Sequence, residues 1–192
     1  MIIFGTFLHD RRQTLMNSST VREKELTWTM EVLDSRQADG RTLARLRGHP
    51  ADLCWYEDGK APGVYWIIRE ADRYFDVGDL EDPSGPLDLA RREAFLDLPL
   101  FLDKRWGDAE QVQRPDGMYC WVVSEVRREK PAGIRGLDAG RPVEVYRAAY
   151  RTNPDHQLVD YAPGVGIIRY QYVHHGTVSE CDMKLVEYRP GK

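Results

Sequence analysis

Alternation is the clearest signal in this chain. From Leu26 onward, Leu26, Trp28, Met30 and Val32 alternate with Thr27, Thr29 and Glu31, which is the period of a half-buried strand. Ala38-Asp39-Gly40 then offers turn chemistry, because glycine accepts positive φ at little cost, and residues 42–47 return as the second strand of a hairpin. The same grammar predicts strands at residues 53–56, 64–69 and 74–77, with a turn at Glu57-Asp58-Gly59-Lys60 and a loop over residues 78–86. Strands resume at residues 118–127, 143–151 and 158–162, after a linker around Arg114-Pro115-Asp116-Gly117. About nine or ten strands at this spacing predict a mainly β fold, a curved antiparallel sheet or half-barrel with long loops. One helix is expected over residues 87–96, where good helix formers carry an imperfect apolar stripe and Pro99 forbids extension. Residues 9–25 are polar, so 1–25 reads as a loop or mobile lead-in and 26–190 as a single antiparallel β domain.

The last hairpin is the most fully specified element. A two-residue turn at His175-Gly176 would pair His174 with Thr177, Tyr172 with Ser179, Tyr170 with Cys181 and Ile168 with Met183. One face then gathers Ile168, Tyr170, Tyr172, Cys181 and Met183. The other sets Arg169 opposite Asp182 and Gln171 opposite Glu180.

Composition narrows the functional classes. With 192 residues, 42% hydrophobic and 30% charged, the chain suits one folded domain that needs neither metal nor disulfide to hold its core. Its 27 basic and 31 acidic residues leave a net charge of −4 with no basic block, which argues against nucleic acid. Cys54, Cys120 and Cys181 lack CxxC spacing and read as small buried hydrophobes. The apolar opening Met1 to Leu8 is too short for a secretory core and is followed rather than preceded by charge, so no export signal is expected; no run reaches membrane-span length.

Candidate chemistry is sparse. His174-His175, with Glu180 and Asp182 near, suggests a metal or acid–base site, but adjacent strand residues point to opposite faces, so a polar turn is the expectation and no metal or cofactor is assigned. Cys120 sits in an apolar strand without a base, and no catalytic residue is assigned. Ala162-Pro163-Gly164-Val165-Gly166 lacks the lysine and spacing of a phosphate loop and reads as a kink or bulge entering the last hairpin. Trp28, Trp55, Trp66, Trp121, Tyr170 and Tyr172 are the candidates to line an apolar cavity, against the commoner use of such residues in the core.

The segment Tyr161-Ala162-Pro163-Gly164-Val165-Gly166-Ile167-Ile168-Arg169-Tyr170 resembles the closing motif of bacterial envelope proteins and lipoproteins loosely similar to lipoprotein-carrier (LolA/LppX-like) domains. Leu185-Val186-Glu187-Tyr188, Leu98-Pro99-Leu100 with Arg105-Trp106-Gly107, and Trp28 are similar too. The resemblance implies a curved sheet offering a concave surface to a lipid or other apolar ligand or partner. It also implies a place in the cell envelope, with the cytoplasm as the alternative for a chain without an export signal. The expectation is thus a non-catalytic binding or structural domain. The alternative is a metal-dependent or hydrolytic enzyme using His174, His175 and nearby carboxylates.

Overall fold

The computed structural model describes residues 2–13, 19–55, 61–79, 88–89, 92–174 and 180–190, the side chains from Glu25 onward and not those of Cys54 and Trp55. Within them the chain is mainly β, as its alternation predicts. Twelve antiparallel strands are described: β1 (Ile2–Gln13), β2 (Ser19–Ala38), β3 (Arg41–Arg47), β4 (Val64–Glu70), β5 (Arg73–Asp76), β6 (Leu96–Asp97), β7 (Arg105–Trp106), β8 (Trp121–Glu129), β9 (Val143–Arg151), β10 (Asp155–Ala162), β11 (Gly166–His174) and β12 (Glu180–Tyr188). No helix among the described residues is long and apolar enough to cross a membrane.

Strand order follows from one connection. The first half of the chain meanders outward from β1 to β6, and the second half meanders back from β7 to β12, which pairs with β1. The long β2 joins two sheets, pairing with β1 up to Met30 and with β3 from Glu31. The sheet that holds β1 and β7 to β12 curls into a half-barrel. The two ends of the strand order, β6 and β7, are joined by residues 98–104, where the Lys104 ammonium donates to the Asp97 carbonyl (2.6 Å), the Asp97 carboxylate (2.7 Å) and the Pro99 carbonyl (3.0 Å).

Local chemistry explains the pairing. The β2–β3 hairpin closes through Asp39 and Gly40, whose φ values of 51° and 75° suit the primed turn that matches strand twist. Leu43, Ile68 and Phe75 then lie opposite one another across β3, β4 and β5 and are almost wholly buried. Gly48 is required next to them: a Cβ there would sit 2.2 Å from the Thr29 carbonyl oxygen. That close approach also lets the Trp28 indole donate to the Gly48 carbonyl at 3.0 Å.

Four expectations change. Residues 2–13 and 19–25 form strands rather than a loop, because the backbone of β1 is paired on both sides and polar side chains do not prevent a ladder. Residues 50–55 make a 3-10 turn (Pro50–Trp55) instead of a strand; Leu53 is fully buried beneath it, and the Asp52 carboxylate accepts from the Gly63 amide at 2.8 Å. The helix is not at 87–96, whose described residues are irregular until β6 begins at Leu96, but at Ala109–Val112 (α1). Asp108 caps it by accepting from the Glu110 and Gln111 amides at 2.9 and 3.1 Å. Finally, the β11–β12 register is offset by two residues: Tyr170 faces Met183, Tyr172 faces Cys181 and Arg169 faces Lys184. A slip of two keeps every side chain on its face, so alternation cannot detect it. The turn expected at His175-Gly176 lies outside the described residues.

Candidate functional site

A cleft of about 870 Å3 opens between β5–β6 and the β9–β11 part of the half-barrel. One wall is Tyr74 of β5, Leu96 of β6 and the following Leu98, Pro99 and Leu100. The other is Tyr146 of β9, the end of β10 at Tyr161 and Ala162, and the turn from Pro163 to Gly166. Hydrogen bonding from the Val165 amide to the Ala162 carbonyl (3.1 Å) holds that turn, and a register shift between Asp160 and Tyr161 rotates the strand end into place. The Ala-Pro-Gly-Val-Gly segment is therefore both the expected irregularity and a wall of the cleft.

The cleft is mostly apolar, with few polar groups. Asp72 stands at its edge with a side chain 64% exposed. Tyr161 is 8% exposed, and its hydroxyl has no hydrogen-bond partner among the described residues. Burial pushes its pKa upward, so the phenol is neutral and ready to donate to a guest. An apolar enclosure of several hundred Å3 with a few placed polar groups is the ordinary make-up of a small-molecule site.

Five of the six aromatic candidates lie elsewhere. Trp28, Trp66, Tyr170 and Tyr172 are buried in the core, and none of them lines this cleft. Trp121 lines a smaller recess with Tyr150 and Phe95. The side chain of Trp55 lies outside the description. Sequence reasoning missed the cleft's actual walls, although the motif carrying the family resemblance supplies one of them.

His174 is tied into the sheet. Its Nδ1 contacts Asp155 Oδ1, and the same carboxylate oxygen accepts from the Tyr172 hydroxyl at 2.9 Å. Burial tends to raise the Asp155 pKa, but these hydrogen bonds hold it below the ordinary aspartate value. Among the described residues no three His, Cys, Asp or Glu side chains come together as a metal site, and His175 is outside them. Cys120 is buried, and burial raises its thiol pKa, which disfavours the thiolate.

On the outer face of the half-barrel, Asp160 is 2% exposed and accepts from Arg147 at 2.7 and 2.9 Å and from Arg127 at 2.8 Å. Glu125 and Glu129 complete the cluster around the two guanidinium groups. Its complementary charges are used internally, which marks it as a brace across β8, β9 and β10.

The chain matches no family model, no curated protein and no solved structure.

Proposed function

We propose that this protein is a non-catalytic binding domain that takes a lipid or similar apolar ligand in the cleft between β5–β6 and the β9–β11 end of the half-barrel. The single observation that supports this reading is the composition of the cleft: a space of about 870 Å3 lined by Leu96, Leu98, Pro99, Leu100, Ala162 and Val165, and by Tyr161, whose hydroxyl has no hydrogen-bond partner among the described residues. Burying an aliphatic chain there is worth about 0.8 kcal/mol per methylene, so a medium-length chain would bind without further specific contacts. Phe101 and Leu102, just past the leucine-rich wall, remain 56% and 53% exposed and extend the apolar surface beyond the cleft.

Native mass spectrometry of the purified protein tests this. Peaks above the 22.2 kDa chain, released by organic extraction as lipid or another amphiphile, are the expected result. A bare chain that also fails to take up added long-chain fatty acid would contradict it.

A second reading, acid–base catalysis at His174, draws on one observation: Asp155 orients the imidazole through Nδ1 and leaves Nε2 facing away from that bond. Replacing His174 with Gln and finding a hydrolytic activity lost would favour that reading over the binding one.

A further inference from the structure

We infer that the smaller recess lined by Glu93, Phe95, Trp121, Tyr150 and Gln157 binds a compact organic cation of the quaternary ammonium type. The site is built on the half-barrel. Trp121 opens β8 directly opposite Tyr150 of β9, and Tyr150 lies opposite Gln157 of β10, so the three form one cross-strand row. The rings of Trp121 and Tyr150 stand 5.3 Å apart and tilted by 53°, two walls of a corner rather than a flat stack. Trp106 stacks on Trp121 at 6.0 Å and 9°, fixing that indole. Phe95 supplies a third ring and Glu93 a carboxylate, and together they enclose about 250 Å3.

The ring faces and the lone carboxylate suit a cation whose charged group carries no hydrogen-bond donors. Aromatic faces attract positive charge through their quadrupole, and tilted rings around one small space are the arrangement that recognises methylated ammonium groups. Among the described residues, the Glu93 carboxylate, the Tyr150 hydroxyl and the Gln157 amide make no hydrogen bond or ion pair. Glu93 is held protonated to higher pH than usual, by partial burial first and by the Asp108 carboxylate second. A bound cation would counter both effects. The single carboxylate among ring faces is a poor ligand set for a hard metal ion, which wants about six oxygens. The inference stands apart from the proposal for the larger cleft, since no residue lines both.

Calorimetric titration of the whole protein with choline chloride, with 3,3-dimethylbutan-1-ol as its uncharged twin in shape, tests the site at constant ionic strength. Choline should bind saturably, with its methyl protons shifted upfield by the rings, and the neutral alcohol should bind at least about tenfold more weakly. Glu93→Gln, at an exposed position, should weaken choline about tenfold while leaving the thermal melt and fatty-acid uptake unchanged. A trimethyllysine peptide that binds more tightly than choline would support the site and assign it to a modified protein segment; the reverse order would support it and assign a free cation or headgroup. Equal affinity for choline and the alcohol, equal affinity of parent and Glu93→Gln, or no saturable binding of choline would each overturn the inference.

Discussion

Asp160 carries its charge almost out of reach of water, and what surrounds it decides the consequence. Burial alone would raise its pKa, but hydrogen bonds from Arg147 and Arg127 outweigh that and hold it below the ordinary value. A carboxylate with a depressed folded pKa stabilises the fold above its unfolded value of about 3.9 and loses that contribution as pH falls below it. Acid unfolding of the parent should therefore steepen below about pH 4, and Asp160→Asn should remove this part of the pH dependence. At neutral pH the same substitution leaves two guanidinium groups poorly matched and should cost about 3 kcal/mol in a urea melt. An unchanged melt would show that the brace contributes nothing. Ile68, wholly buried between Leu43 and Phe75, gives a comparison without charge: Ile68→Ala should cost about 2–5 kcal/mol at every pH.

At the scale of elements, the β11–β12 pair separates what alternation can encode from what it cannot. Arg169 and Asp182 do meet, at 2.9 and 2.7 Å, but diagonally, because Asp182 stands opposite Gln171. Both side chains are about 30% exposed, so Asp182→Ala should cost no more than about 1 kcal/mol in the same denaturation assay. Faces were legible in the sequence because side chains alternate with a period of two; register was not, because a slip of two preserves that period. The turn of the β2–β3 hairpin was legible, since Asp39-Gly40 supplies its positive φ, whereas the register shift between Val32 and Asp34 was not. The short helix escaped notice for a different reason. Its cap, Asp108, with Gln111 three residues on, was a readable signal, but α1 buries no residue and leaves no apolar stripe. Residues 87–96 carried the composition of a helix without its packing, and Leu96 went to a strand instead.

For the whole molecule, the pairing of β1 with β12 brings the chain's two halves together, and the cleft opens between β5–β6 of the first half and the β9–β11 end of the second. That pairing is a long-range event with no local mark, which explains why the β class could be read and the cleft could not. The large aromatic residues suggested cavity walls by size alone. In the fold, Trp28, Trp66, Tyr170 and Tyr172 fill the core, while small and aliphatic residues around Ala162 and Leu98 leave the space. The central claim is that this space takes an apolar chain. Val165 is half-buried in the turn of the cleft wall, outside the strands, so Val165→Glu would put a charge against the guest without disturbing a strand. The decisive measurement is a fluorescence titration of parent and Val165→Glu protein with a fluorescent long-chain fatty acid. The account predicts saturable uptake by the parent, at least about tenfold weaker uptake by the variant and identical circular dichroism of the two. Equal uptake by both proteins, or none by the parent, would contradict it.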